Sequence, residues 1–340
     1  MTAVLPISDA QHQANVERYG EPAVQSPRAA PVRLDAFLAG GADTTAADWV
    51  LPGLFAPEVV TGIAGKPKAG KTTCLLHAAY CIAEGMPFCR WETRQTNVLW
   101  LNLETSTRLA RFKLRAVAGT AASEHFYILN GTRDDAHPER VAEWVRELGA
   151  GLVVVDSLSK WWAVAEENSN SEIDKATDPA VRLARAAGCG VVLIHHSRKN
   201  RTGGETPLDM FRGGSALTAA LDIGILFTKA GKEDPALRRL ELESRYDETP
   251  GELYVRLGPL AYDRIDDPAG LREARQADGI GAVLTATPAT VDALMELLPE
   301  DFSAGRETVN RRLRKMVEEG RALVGPKDGK AYTYCRGPKA

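Results

Sequence analysis

The stretch Gly65-Lys66-Pro67-Lys68-Ala69-Gly70-Lys71-Thr72, GKPKAGKT, decides how the rest of this chain is read. It has the spacing G-x-x-x-x-G-K-[ST]. The apolar run Val59–Ala64 precedes it, and Thr73–Ala83, with helical period, follows. A strand, a glycine-bearing loop and a helix in this order can wrap a row of phosphates. The glycines let backbone N–H groups converge on β- and γ-phosphates, and the helix adds its positive N-terminal dipole. Lys71 neutralises phosphate charge and Thr72 offers a hydroxyl to Mg²⁺. Gly65, Lys66, Pro67, Lys68, Ala69, Gly70, Lys71, Thr72 and Thr73 are therefore the expected nucleotide contacts.

Working outward, four more short apolar runs alternate with helical segments: Val98–Leu103, Phe126–Leu129, Leu152–Val155 and Val191–Ile194. Runs apolar on both faces and separated by helices imply a parallel sheet covered on both sides, an α/β fold. Two of these runs end in an acid. Asp156 closes Leu152-Val153-Val154-Val155, the strand end from which a carboxylate can hold the Mg²⁺ shell. Glu104 follows Val98–Leu103, 33 residues beyond Lys71, a separation that suits one β-α-β crossover. Were its strand a neighbour of the phosphate-loop strand, Glu104 could take a proton from an attacking water. Either acid could instead cap a helix.

Val191–Ile194 runs into His195-His196. Consecutive strand side chains point to opposite faces, so the two are not expected to share a metal ion. One can face a γ-phosphate while the other packs.

The phosphate loop, the acid-ended second strand, VVVD and the histidine-bearing strand, in this order, resemble the RecA-fold ATPases, and among them the plasmid replicative helicases of the RepA type. Asp48–Phe55, DWVLPGLF, ahead of the loop and Met210–Leu217, MFRGGSAL, with Asp222 after it, are similar to segments of those ring helicases. The likeness spans about 48–258. It implies ATP and Mg²⁺ as cofactors, a homo-oligomeric ring that is expected to be a hexamer, and single-stranded DNA in its pore. It implies His196 as the γ-phosphate sensor and Arg198, Lys199, Arg201 and Arg212 as pore-lining DNA contacts. It also implies Arg245 as a finger reaching the neighbouring subunit's nucleotide. There the family pattern is Lys-x-Arg, whereas this chain reads Glu243-Ser244-Arg245. That departure puts subunit-coupled hydrolysis in doubt.

Three closer strands, Asp222–Lys229, Leu237–Arg245 and Glu252–Leu257, suit antiparallel pairing at one sheet edge. Asp-Asp-Pro-Ala-Gly at 266–270 then reads as a linker. Beyond it, Thr290–Leu298 and Arg306–Gly320 have helical period; Val309, Leu313, Met316 and Val317 form one buried stripe. A hairpin is expected about Pro326-Lys327-Asp328-Gly329. This order resembles a winged-helix module, with Arg306, Arg311, Arg312, Arg314 and Lys315 off the stripe and facing duplex DNA. From Ser303 onward there are ten Lys/Arg against four Asp/Glu, a net of +6 in a chain whose whole charge is −3. A winged helix that contacts protein is the competing reading.

With 340 residues, 44% of them hydrophobic, the chain can bury a large core and exceeds one average domain. Residues 1–46, with Tyr19 and Phe37 as their aromatics and no sustained period, read as a flexible arm. The ATPase domain is expected over 47–265, and linker and winged-helix domain over 266–340. MTAVLPISDAQHQ lacks the features of a signal peptide, and no run of about 18 apolar residues exists, so a cytoplasmic protein without a membrane partner is expected. Five cysteines without a C-x-x-C pair suggest neither a disulfide framework nor a zinc ribbon. The functional expectation is a Mg²⁺-dependent ATPase that works as a DNA helicase. The alternative is an ATP-switched DNA-binding regulator or loader that unwinds nothing. A small-molecule kinase would share the loop but needs neither a water-directed Glu nor a basic DNA module.

Overall fold

The five runs that read as buried strands are parallel strands of one sheet: β1 Val60–Gly65, β2 Asn97–Asn102, β3 Phe126–Asn130, β4 Ala150–Asp156 and β5 Gly190–His196. The structure is a computed structural model that describes residues 33–34, 47–119, 123–161, 170–197, 206–211, 214–230, 234–258, 262–299, 302 and 304–339. Two compact units divide the chain, residues 1–46 and 47–340; the elements named here belong to the second. The arm expected over 1–46 lies outside the described residues except for Arg33 and Leu34.

The strand order is β3-β2-β4-β5-β1-β6-β7-β8-β9, with β6 Ile223–Lys229, β7 Leu237–Ser244, β8 Glu252–Leu257 and β9 Tyr262–Arg264. This is a large, mostly parallel α/β sheet of the RecA-like kind. The expectation for the later strands needs one amendment. β6 pairs parallel to β1, and the antiparallel extension begins at β7. β6 is apolar through Phe227 because it lies inside the sheet, between β1 and β7.

Alternation along each strand builds two cores. One face carries Ile63, Trp100, Val154, Val192 and Ile194 against helix α1, Lys71–Glu84, with Leu114 and Val117 of α2, Thr107–Ala118, beside it. The other carries Val60, Leu101, Val155 and Leu193 against α3 Pro138–Leu148, the short α4 Leu158–Trp161 and α5 Asn170–Ala187. Helix α6, Gly214–Ala220, adds Leu217 to the second core. Trp161, fully buried, donates its indole N–H to the Ala136 carbonyl at 2.6 Å, so its bulk enters the core without an orphaned donor.

The expected linker at 266–270 is instead the start of a helix, α7 Pro268–Val283. Asp267 accepts from the Gly270 N–H as N-cap, and Pro268, which has no N–H to lose, takes the first helical position. Then come β10 Ala289–Thr290, α8 Val291–Leu297, α9 Arg306–Glu318, β11 Ala322–Asp328 and β12 Ala331–Arg336. The sheet order is β10-β12-β11. Val309, Leu313 and Met316 of the expected stripe are buried with Ile280, Leu294 and Tyr334 in a core of their own.

Where β1 turns into the phosphate loop, a Cβ on Gly65 would lie 2.4 Å from the Phe227 carbonyl oxygen of β6. Both are backbone positions in paired strands, so neither can retreat. Gly65→Ala is expected to cost about 1–3 kcal/mol through overpacking. Thermal unfolding checks this; an unchanged midpoint would contradict it.

Candidate nucleotide-binding site

Parallel pairing puts the carboxyl ends of β2, β4, β5 and β1 in a row. Asn102 is in register with Asp156, and Gly65 with His196. The loop Lys66–Gly70 leaves β1 at this row, with Lys66, Pro67 and Lys68 exposed and Ala69 buried. Lys68 has φ 62° and Gly70 φ 105°, the backbone bends that turn the loop into α1. Thr72 and Thr73 lie in the first turn of α1.

Lys71 is buried, and its ammonium donates to the Gly65 carbonyl at 2.7 Å and the Lys66 carbonyl at 3.2 Å. Burial lowers its pKa; Glu104 and Asp156 oppose that by attracting the charge. Asp156 is 2% exposed. Its carboxyl is pushed up to about 6 by burial and by the nearby Glu104, against a hydrogen bond from Thr72 and the cations of Lys113 and Lys71. Its Oδ2 is buried and has no hydrogen-bond partner. A buried carboxylate oxygen without a donor, beside the hydroxyl of the phosphate loop's threonine, is a donor set that suits a hard divalent cation. The residues present therefore fit a Mg²⁺-bound triphosphate, whose metal Thr72 and Asp156 would hold.

Glu104 is exposed at the same edge, but its strand is not the expected neighbour of the phosphate-loop strand: β4 and β5 insert between β2 and β1. A small network sets its loop. The Asn102 amide donates to the Thr105 carbonyl at 2.7 Å and to the Asn130 side chain, and the Thr105 hydroxyl donates to Asn102 at 2.7 Å. Asn130 in turn donates to Thr107 at the start of α2. The carboxyl end of β3 is thereby tied to the turn that carries Glu104.

By strand parity His196 follows Val192 and Ile194 on the α1 face, which Asp156 shares, whereas His195 follows Leu193 on the other. His195 is buried, and the ring centroids are 6.5 Å apart. Among the described residues no three His, Cys, Asp or Glu side chains cluster as metal ligands. Arg198, Lys199, Arg201 and Arg212, the expected pore contacts, lie outside the described residues.

Arg245 is at the opposite edge of the sheet. Strand β7 runs antiparallel, so its end, Ser244, pairs with Ile223 and lies by the amino end of β1. Arg245 bonds the Ala219 carbonyl at 2.8 Å and Asp222 at 3.3 Å, while Asp222 accepts from the Val60 N–H. The length of β1, about 20 Å at 3.3 Å per residue, separates it from its own phosphate loop.

Two residues at the loop were missed by sequence reasoning. The buried Arg238 of β7 donates to the Ala69 carbonyl at 2.6 Å, and Tyr262 of β9 reaches the Gly70 carbonyl at 3.4 Å. A Cβ on Gly70 would lie 2.5 Å from that hydroxyl. The antiparallel extension thus backs the phosphate loop. In LRRLELES, Arg238 has no local signal that distinguishes it from Arg239, which pairs with Glu241 and Glu252 at the surface.

In the C-terminal module, Arg312 corrects the sequence reading. It is buried on α9, paired with Glu273 at 2.8 Å and bonded to Gln276, so it packs α9 on α7 and does not face outward. Lys315 also reaches Glu273, whose carboxyl is held down to about 2 chiefly by Arg312. Arg306 pairs with Asp292, while Arg311 and Arg314 are exposed.

A loop of this geometry, backed by a buried acid and placed at the carboxyl edge of a RecA-like sheet, defines a P-loop ATPase. An AAA domain family matches residues 27–202, 176 of the 340, a span that includes the phosphate loop, Glu104, Asp156 and His196. The chain belongs to that family. It is similar to a KaiC-like protein of the hyperthermophilic archaeon Pyrococcus horikoshii OT3, at 15% identity and a TM-score of 0.49, over 64% of this chain and 99% of that one. No curated protein matches the chain.

The raised Asp156 carboxyl gives a prediction of two parts. Between its ordinary value of 3.8 and about 6, the folded chain holds a proton that the unfolded chain has released. Stability from this group is thus present at low pH and lost as pH rises through that window. At pH 7.5 the metal-free protein carries a buried charge, and Asp156→Asn should raise its unfolding temperature, by up to about 3 kcal/mol of stability, while abolishing turnover. In the unmutated protein, kcat/KM should fall about tenfold per pH unit below about 6. A variant both less stable and active would contradict the assignment.

Proposed function

We infer that the chain is a Mg²⁺-dependent ATPase that assembles head to tail as a ring, a hexamer of the RepA-type replicative helicase kind, and moves along single-stranded DNA. The observation that supports this most directly is the split of the machinery between two edges. Lys71, Asp156, Glu104 and His196 share one edge of the sheet; Arg245 is at the other, so the cationic finger serves a neighbour's nucleotide.

Gly65 to Thr73 bind the triphosphate, and Lys71 leaves its two carbonyl partners to meet phosphate charge. Mg²⁺ held by Thr72 and Asp156 would neutralise phosphate charge. Glu104 takes the proton of the attacking water, its loop fixed by Asn102. His196, beside Gly65, senses the γ-phosphate. Arg198, Lys199, Arg201 and Arg212 contact DNA in the pore. An arginine finger contributes about 10³–10⁵ in rate where it operates, so an isolated subunit is slow.

The order α7-β10-α8-α9-β11-β12 with sheet order β10-β12-β11 supports a winged-helix reading of residues 266–340. Its second half contacts duplex DNA through Arg311 and Arg314 of α9, with Lys327 and Lys330 on the hairpin. Arg306 and Lys315 reach phosphate only by leaving Asp292 and Glu273. Arg311→Ala with Arg314→Ala should weaken duplex binding uniformly across sequences and reduce the salt slope by about two. Arg312→Ala should lower the unfolding temperature at an unchanged salt slope. Fluorescence anisotropy at several salt concentrations checks both, and equal slopes for all variants would contradict the surface.

One observation favours the alternative, an ATP-switched regulator or loader. Glu243, in place of the family's lysine, accepts from the Leu208 N–H at 3.3 Å. It holds the turn Leu208–Met210 and adds no cation. A forked-duplex assay separates the readings. The helicase unwinds with ATP, and Lys71→Ala and Glu104→Gln abolish both turnover and unwinding. Turnover without strand separation leaves the switch.

A further inference from the structure

Helix α2 presents a basic and apolar face that the other described residues of 47–340 leave open. Its sequence TRLARFKLRAVA holds Arg108, Arg111, Lys113 and Arg115 and no acid. Arg108, Arg111 and Arg115 are exposed, and none of the three pairs with an acid among the described residues. Between them Phe112 is 71% exposed and Leu109 44%. Beside the helix, β3 is the edge strand of the sheet, with Ile128 41% exposed. A groove of about 420 Å³ runs between the two, lined by Thr107, Arg111, Leu114, Arg115, Ile128 and Asn130. An aromatic ringed by unpaired arginines is the make-up of an interface centre.

The complementary surface is on the same chain, at the amino ends of β1, β6 and β7. Glu58, Asp247 and Glu248 are exposed there, and Glu58, Asp222 and Glu248 gather about Tyr246, which packs edge-on against Trp49. Asp222, the fourth carboxylate of this corner, pairs with Arg245 at 3.3 Å. The two surfaces cannot meet within one subunit. β3 is an edge strand, whereas the acidic corner lies at the amino ends of β1, β6 and β7, four to six strand spacings away, roughly 19–29 Å at 4.8 Å each. Unlike faces of one chain that are complementary join copies heterologously, head to tail.

We propose that the α2 and β3 face is the docking surface for the acidic Glu58, Asp247 and Glu248 corner of a second copy of this chain. The inference rests on the ring reading above and names the contact that makes the ring. Helix α2 begins at Thr107, three residues after Glu104, so a corner seated there carries its Arg245 to the edge where the neighbour's Lys71 and Glu104 lie. The groove also reaches Asn130 and Thr107, the outer members of the network that sets the Glu104 loop. Docking thus touches the residues that position the base.

The test is a charge swap in the full chain, with sedimentation velocity and ATP turnover as readouts. Arg108→Glu with Arg111→Glu should raise the concentration needed for assembly at least tenfold and lower turnover with it. Asp247→Arg with Glu248→Arg should do the same. A chain carrying all four changes presents the same pairing with signs reversed and should regain both, which a folding defect would not allow. Assembly unaffected by either double change, or not restored by the fourfold change, overturns the docking surface while the ATPase reading stands. An unmutated chain that stays single at every concentration and hydrolyses ATP at its full rate overturns the ring itself.

Discussion

Everything chemical in this protein depends on the parallel alignment of β2, β4, β5 and β1. Neighbouring strands that point the same way end at the same edge, so four residues far apart in sequence meet there: Glu104, Asp156, His196 and the start of the phosphate loop at Gly65. The alignment also forces burial. Asp156 and Lys71 are held 2% and 6% exposed, each shifted toward its neutral form by the loss of water and drawn back by the other's charge. A buried carboxylate oxygen without a donor is costly, and a divalent cation held there would offset that cost. The loop lysine rests on its own carbonyls meanwhile.

The same sheet places Arg245 where it cannot serve its own nucleotide. An antiparallel strand ends at the edge from which its parallel neighbours start, and β7 follows that rule. In the proposed ring, one topological reversal separates the arginine from the phosphate loop of its own subunit by the length of a strand. In that reading the cation and its target come together when copies stack unlike edges, and the charge distribution, arginines on α2 and carboxylates about Tyr246, runs the same way.

Much of this was legible in the sequence because local rules govern it. Strand runs apolar on both faces are a direct consequence of burial between two helical layers, and the strands were found within a residue or two. The phosphate loop was legible because glycine spacing and a Lys-Thr pair are local. Asp267-Pro268 was misread because a cap followed by proline starts a helix as readily as it ends a segment, and only the packing of Ile280 against Leu313 and Met316 decides between them. Arg238 and Arg312 show the limit more sharply. Each is an arginine among arginines, and only tertiary placement buries one under the Ala69 carbonyl and pairs the other with Glu273. Nothing in a run of basic residues tells which of them faces outward.

The most direct measurement of the central claim is ATP turnover per chain as a function of protein concentration, with single-stranded DNA present throughout. An account in which the finger comes from a neighbour predicts a low rate per chain in dilute solution, rising by orders of magnitude through the concentration at which the particle assembles. A rate per chain that is high and constant down to concentrations where every particle is a single copy would contradict it.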